Sequence, residues 1–390
     1  MSGTTMTRNC QDKLRTGGPS WTSTDRPTWA SVLGRMRIAL FLPHVGVFGG
    51  VRRFIELGNE WSALGHEVTL YHPEGTPPAW LPFAGRVAPL AAAAGASADL
   101  AVCADPHTYD AFRATAAAAH LYYCVIEGDA GLPRAIADPA VRLAANSQAL
   151  CAAVARRARR PVLDGVGGIR TTHFRPDPAK RVASPLRVLL NGRRSRAKKG
   201  TDLVLAALRD LRGVPEFEVV LFDSVDAHNR QDPRDGAPLP ANARFVLNPS
   251  QEELAALYQS SHVFVAAERK AGWCNTALEA LASGCALVCT NSGTRDFARD
   301  GENALVTWRH PFFLRRAIRR VLADAPLRER LAAAGPASAE PWAWPKVAEK
   351  LLGQVAAAAA RTELGGYLAS SAWNRGCPRI GSQRGSSLSK

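Results

Sequence analysis

The pattern of hydrophobic and polar positions changes abruptly at Met36. Residues 1–35 are rich in Ser, Thr, Gly, Pro and Arg without periodicity, which predicts a disordered extension and makes Met36 a candidate start of translation. From there Arg37 to Leu42 reads as a buried strand, and a Pro/Gly loop reaches Gly50. Val51, Phe54, Ile55, Leu57, Trp61 and Leu64 then share one helical stripe, which Gly65 stops. Glu67 to Tyr71 alternates as a second strand. Strand, helix and strand in this order predict a right-handed parallel unit. Further strands are expected at Leu100 to Cys103, Leu121 to Val125 and Arg142 to Ala145.

Residues 164–185 hold repeated Gly and Pro positions and read as a linker, after which a second α/β unit begins. Leu186 to Leu190, Phe217 to Phe222, Arg244 to Leu247, His262 to Ala266 and Cys285 to Thr290 read as strands. Thr201 to Leu211, Gln251 to Gln259 and Asn275 to Ala282 read as helices, and helices fill most of the rest to Arg361. The pattern predicts two doubly wound α/β domains facing across a cleft. The expected divisions are a disordered extension at 1–35, an N-terminal domain at 36–176, a C-terminal domain at 177–340, a crossover helix at 341–362 and a disordered tail at 363–390.

Composition agrees with two cores: 390 residues with 46% hydrophobic content are too many for one ordinary domain. The formal net charge of +15 admits nucleic acid, an anionic membrane surface or a phosphorylated small molecule as a partner. Part of the excess lies in the two ends. Internally, Arg156, Arg157, Arg159 and Arg160, and again Arg315, Arg316, Arg319 and Arg320, have the spacing of exposed helix faces. Each reads as a solvated face, with peripheral contact to an anionic membrane as the alternative. The cysteines Cys10, Cys103, Cys124, Cys151, Cys274, Cys285, Cys289 and Cys377 have no CxxC or zinc spacing and are expected to be reduced. No secretory segment follows the N-terminus, and residues 88–104 are too weakly apolar to span a bilayer. A cytoplasmic location is expected, with the cytoplasmic membrane face as the site of any peripheral contact.

Chemistry is expected in the loops that follow the first strand of each domain. The first reads PHVGVFGGVRR, where Gly49 and Gly50 put bare N–H groups at a helix start, suited to a phosphate or to a tight turn alone. Its counterpart, NGRRSRAKKG at 191–200, crowds five basic side chains together, and a diphosphate is the anion of matching size. In the segment 267–306, Gly272, Asn275 and Thr276 mark a turn and helix start, and Glu279 lies inside an otherwise apolar helix. A carboxylate there needs partners: ribose hydroxyls, or a salt bridge in the core.

Together these segments resemble family 4 of the retaining glycosyltransferases from Met36 to about Arg361. MRIALFLPHVGVFGGVRRFIELGNEWSALGHEVTLY is similar to the family's opening, and DGVGGIRTTHFRP, ending in Phe174 and Pro176, to its hinge. NGRRSRAKKG is similar to its diphosphate loop, and GWCNTALEALASGCALVCTNSGTRDFARDGENALV to its donor block. The resemblance implies the GT-B fold, two Rossmann-like domains with C-terminal helices packing back on the N-terminal one. It implies transfer, with retention, of a hexosyl-type sugar from a nucleoside-diphosphate sugar to a hydroxyl of a glycan, lipid-linked or small-molecule acceptor. It implies that Arg193 or Arg194 with Lys199 neutralises the diphosphate, that Gly49 and Gly50 add backbone donors, and that Glu279 binds the ribose. The family's histidine near the transferred sugar is matched best by His107, in CADPHTYD, which is equally well a loop residue without a role. No cofactor and no metal is implied, and no carboxylate cluster in the sequence suggests one.

Two positions depart from the family pattern. Its Glu, seven residues, Glu places the first acid at Ala271, for which Glu268 or the backbone of Gly272 and Trp273 is the expected substitute. The basic loop is one residue longer than the family's, leaving Arg193 and Arg194 both candidates. Ala271 motivates a second reading, a catalytically weak sugar-nucleotide-binding or scaffold protein. A nicotinamide-dependent dehydrogenase would want GxGxxG and an acid ending the second strand, where VGVFGG and Tyr71-His72 stand. Nucleic acid is not an expected partner, because no aromatics interleave with the basic loop.

Overall fold

A computed structural model of the chain describes residues 34–180, 184–209, 211–228, 230–235 and 238–373. The expectations for residues 1–33 and 374–390, including Cys10 and Cys377, lie outside the described residues. Cys103, Cys124, Cys151, Cys274, Cys285 and Cys289 are free thiols, and burial pushes that of Cys103 up to about 12.

The N-terminal half is built on a sheet with the order β3-β2-β1-β4-β5-β6-β7. Its strands are β1 (Arg37–Phe41), β2 (Glu67–His72), β3 (Arg86–Pro89), β4 (Ser97–Cys103), β5 (Ala116–Cys124), β6 (Val141–Ala145) and β7 (Leu163–Asp164). All neighbours pair in parallel, with Ile38 opposite both Val68 and Leu100. Ile38, Leu40, Leu100 and Leu121 are buried because helices cover both faces, so their strands read as apolar runs rather than alternating ones. Helix α1 (Gly49–Ala63) follows β1 and buries Val51, Phe54, Ile55, Leu57 and Trp61, the stripe seen in the sequence. Helices α2 (Tyr109–Ala114), α3 (Leu132–Ala137) and α4 (Gln148–Ala158) follow β4, β5 and β6.

The C-terminal half repeats the plan with the order β10-β9-β8-β11-β12-β13. Its strands are β8 (Leu186–Asn191), β9 (Phe217–Asp223), β10 (Ala243–Leu247), β11 (Val263–Ala266), β12 (Ala286–Cys289) and β13 (Ala304–Val306), again parallel throughout. Its helices are α5 (Thr201–Leu208), α6 (Gln251–Gln259), α7 (Asn275–Ala282), α8 (Pro311–Ala323) and α9 (Ala325–Ala339). In each sheet the first strand lies between its successor on one side and a later strand on the other. These switch points, β1/β4 and β8/β11, leave a crevice at the strands' carboxyl ends.

The final helix, α10 (Trp344–Trp373), packs on the N-terminal half, as expected for the C-terminal helices. Trp61 Nε1 donates to Ala348 O, and Gln354 and Lys350 hold Asp164. It continues past the expected end at 362, so residues 363–373 belong to the helix rather than to a tail. Ala356 to Ala360 are the best helix formers, and Gly365 and Gly366, at about 1 kcal/mol each, do not stop it. The outgoing and returning chains cross side by side: Gly168 N donates to Trp342 O and Trp344 N to Ile169 O. Gly168 has φ 126°, and a Cβ there would lie 2.3 Å from the Trp344 ring, so the crossing requires glycine. Buried Arg53 ties it to α1, donating to Tyr123 Oη and to the carbonyls of Gly165 and Gly167.

Candidate functional site

A cavity of about 1080 Å³ opens between the two switch points. The loops after β1, β4, β5, β8, β9 and β11 all contribute walls to it, as the topology requires. Gly49, Gly50, Arg193, Lys199, Glu268, Gly272, Asn275, Thr276 and Glu279 all line it.

Two helix N-termini face one another across this space. The positions preceding α1 and α7, Phe48 and Cys274, make no side-chain capping bond, and neither helix has an acid in its first turn. By contrast α4, α6, α8 and α9 are capped by Ser147, Ser250, His310 and Asp324. Helices α2, α3 and α5 also lack a side-chain cap, and α6 meets the cavity with its cap in place; at α1 and α7 the missing caps leave N–H groups and the positive end of each dipole open to an anion. Approach is close: a Cβ on Gly49 would lie 2.9 Å from the Asn275 amide, and one on Gly272 2.4 Å from Val125 O. An antiparallel bridge joins Ile126 to Ala271 across the same gap.

The basic loop is less uniform than its sequence. Arg193 is buried and gives both Nε and Nη2 to the Asp223 carboxylate, at 2.8 and 2.7 Å. Arg194 turns away, pairs with Asp202 at 2.7 Å and does not line the cavity. Of the two arginines that were candidates for the diphosphate, only Arg193 therefore reaches the cavity. Lys199 pairs with Glu268 at 2.8 Å. Burial would lower the pKa of the Lys199 ammonium, but the Glu268 carboxylate outweighs it and the net direction is upward. Gly200, at φ 76°, lets the loop press on Ala267 O, 2.3 Å from where a Cβ would stand. Arg196, Lys198, Arg269 and Lys270 also line the cavity and have no ion pair among the described residues. Burial, then the neighbouring Arg196 and Lys199, depress the pKa of Lys198. Counting basic residues in the sequence could not separate those already neutralised by protein from those left for a ligand.

Glu279 is 4% exposed, and its Oε2 accepts from Tyr258 Oη at 2.9 Å. Burial and this carboxylate raise the Tyr258 pKa well above the ordinary phenol value, so the tyrosine stays a donor. No ion pair to Glu279 exists among the described residues, which removes the core salt bridge and leaves Oε1 as an acceptor in the cavity wall.

His107 is not among the residues that line this cavity, although its neighbours Asp105 and Pro106 are. It sits exposed in the short turn after β4, with its backbone N–H on Asp105. The histidine that does line the cavity is His44, in the loop after β1. Its ring stacks on His228 of the other half at 4.3 Å, and its Nδ1 accepts from Gly46 N–H, while Val47 N–H donates to Asp226. The signal for it was present as the histidine of PHVGVFGG.

Burial and then His228 lower the His44 pKa, against the raising effect of Asp226, Asp105 and Glu74. A depressed imidazole favours this loop arrangement above its ordinary value of about 6.5 and disfavours it as pH falls through the lowered value. Protonation also removes the lone pair that Gly46 N–H uses. Nucleotide affinity is accordingly expected to fall about three- to tenfold between pH 7.5 and about 5.5. Titrations at several pH values check this: His44→Phe, which keeps the stack, should flatten the dependence, and an unchanged slope would reject the assignment.

The comparisons with known proteins agree with this geometry. Residues 177–338 match the family model described as glycosyl transferases group 1. No curated protein matches the chain by sequence. Among solved structures, the sucrose-phosphate synthase of Thermosynechococcus elongatus is similar over 84% of this chain and 100% of its own, with TM-score 0.70 and 17% identity. Anabaena HepE in complex with UDP-glucose matches over 83% of this chain and 100% of its own, with TM-score 0.65 and 14% identity. The catalytic domain of starch synthase IV from Arabidopsis thaliana, bound to ADP and acarbose, matches over 85% and 98%, with TM-score 0.55 and 12% identity. The fold is the GT-B arrangement of two α/β domains.

Within the segment matched by the group 1 model, Ala271 lies in the cavity wall with its N–H on Ser292 Oγ. Glu268, the expected substitute for an acid at 271, is engaged by Lys199, while the backbone at Gly272 and Trp273 remains in the wall. Outside that segment, the site has a carboxylate the sequence reading did not single out. Asp129, after β5, is 7% exposed, and its Oδ1 accepts from Tyr122 Oη and Gly131 N–H. Its Oδ2, with Asn146 Oδ1 and Trp273 Nε1, is among the few buried side-chain atoms without a protein partner, and all three residues line the cavity. Unpaired buried polar atoms cost about 1–3 kcal/mol each, so their gathering at one cavity marks a place for a polar ligand. Only the order CVIEGDAG, an acid soon after a buried strand, could have pointed to Asp129.

Proposed function

We propose that the chain is a retaining glycosyltransferase that moves a hexosyl-type sugar from a nucleoside-diphosphate sugar to an acceptor hydroxyl. The observation that carries this reading is the meeting of two uncapped helix N-termini and unpaired cations with buried Glu279 in one interdomain cavity. Its parts correspond to those of a nucleotide sugar. Glu279 Oε1 accepts from ribose hydroxyls, while Lys199, Arg196 and Lys198 with the α7 N-terminus neutralise the diphosphate. Arg193 acts by holding the loop through Asp223. The sugar lies toward Gly49, Gly50 and the N-terminal wall, and the acceptor enters past Asp129. Similar structures are complexes with UDP-glucose, UDP and ADP, which supports a nucleotide sugar as donor.

Transfer then needs stabilisation of the leaving nucleoside diphosphate and placement of the acceptor, with the departing phosphate helping to take its proton. The test is incubation with nucleotide sugars, measuring sugar release and the anomeric configuration of the product. Retention supports the proposal and inversion contradicts it. Ala271 favours one other reading, a scaffold protein that binds the donor without turnover, which the same assay distinguishes as binding without release.

Asp129 gives a further check. Burial raises its pKa against the bonds from Tyr122, Gly131 and Leu132. A raised carboxyl pKa means that stability is lost as pH rises from the unfolded value through the folded one, so the charged form is a net burden at neutral pH. Asp129→Asn is therefore expected to raise the melting temperature by about 1–3 °C while lowering acceptor transfer about tenfold or more. Melting curves and transfer rates decide it; a lower melting temperature with full transfer would make Asp129 purely structural.

A further inference from the structure

Among the described residues, the exposed large hydrophobic side chains are Ile126, Trp308, Phe312 and Phe313. Ile126 belongs to the cavity just described. The other three fall within six residues, at 78%, 60% and 42% exposure, where the chain leaves β13 and enters α8. Isolated exposed apolar residues are ordinary, but three large aromatics clustered on one knuckle are not.

The same helix face supplies charge. Helix α8 buries Leu314, Ile318, Val321 and Leu322 against the C-terminal core. At 100° per residue this leaves Phe312, Arg316 and Arg319 on the outward face, flanked by Phe313 and Arg320. Arg316, Arg319 and Arg320 are exposed, and no acid occurs between Trp308 and Ala323. Arg315 does a different job, capping Ala206 and Arg209 carbonyls.

We propose that Trp308, Phe312 and Phe313, with Arg316, Arg319 and Arg320, form a surface that docks on an anionic lipid bilayer. The combination is that of an interfacial helix: aromatic side chains enter the headgroup region while arginines on the same face meet lipid phosphates. Charge decides among occupants. A symmetric contact with a second copy would set these arginines against one another with no acid in the segment to separate them, whereas an anionic surface matches them. The docked face is also coupled to the cavity. Arg309, next to Trp308, donates to Ala267 O and Ala197 O, both at 2.8 Å, and so braces the two loops that line the donor side. No helix among the described residues is long and apolar enough to cross a membrane, and this surface needs only to lie on one.

The experiment is flotation of the full chain with vesicles of phosphatidylcholine, with and without phosphatidylglycerol, at physiological salt. Binding is expected only with phosphatidylglycerol. The double variant Trp308→Ser with Phe312→Ser, and separately Arg316→Glu with Arg319→Glu, should each reduce the bound fraction about tenfold, with melting temperature unchanged because all four side chains are exposed. No flotation of the parent chain, or flotation that neither variant weakens, would overturn the proposal. So would a dimer in sedimentation that the aromatic variant dissociates, since the surface would then be a self-contact.

Discussion

Lys199→Ala is expected to lower turnover about 10²–10³-fold while the protein remains folded. The position of Lys199 at the cavity is fixed: Glu268 holds Nζ at 2.8 Å, and the loop carrying it is pressed on Ala267 by Gly200. A preorganised charge aimed at a leaving diphosphate contributes mainly in the transition state, and loss of one such donor typically has that magnitude in kcat. The alanine variant also leaves the Glu268 carboxylate unpaired beside the diphosphate, which adds repulsion to the lost attraction. Lys199→Arg should recover part of the rate, because charge is retained though the geometry is not. Arg194→Ala is the control, expected to stay within about twofold because its side chain turns onto Asp202 of α5 and does not line the cavity. Steady-state release of sugar from the donor measures all three. Full activity in Lys199→Ala would remove it from the mechanism.

Glu279→Gln is expected to weaken nucleotide binding by about ten- to a hundredfold, the range for a hydrogen bond involving a charged group. Glutamine has the same shape, and its amide oxygen still accepts from Tyr258, so the core around α7 is kept. What changes is the acceptor facing the cavity, which becomes a donor or loses its charge. The loss should appear in Kd for the free nucleoside diphosphate as well as for the sugar nucleotide, since the ribose is common to both. Calorimetric titration checks it, and an affinity equal to that of the parent would place Glu279 outside the nucleotide site.

Much of the architecture was legible because both sheets obey simple periodicity. The apolar runs at Arg37 to Leu42 and Leu186 to Leu190 became β1 and β8, and the stripe from Val51 to Trp61 became the buried face of α1. Short edge strands escaped notice: β7 has two residues and β13 three, too few for a period to register. The last helix was expected to end at 362 because the residues beyond carry few ordering signals, yet no proline intervenes and the helix runs on to Trp373. At the site, the glycines and helix starts were legible as backbone, and the structure places Gly49, Gly50, Gly272, Asn275 and Thr276 in one cavity wall. Partner choice was not. Whether Arg193 faces Asp223 or a ligand, and whether His44 or His107 reaches the cavity, depends on loops brought together from both halves. Asp129 was hidden for the same reason: its free oxygen is a fact of three dimensions, produced by Tyr122 and Gly131 taking the other one.

The most direct measurement is titration of the full chain with UDP, GDP, ADP and dTDP, comparing the parent with the Glu279→Gln variant. The account predicts saturable one-to-one binding of at least one nucleoside diphosphate, weakened by the single substitution. Absence of binding by all four, in a folded protein, would contradict it.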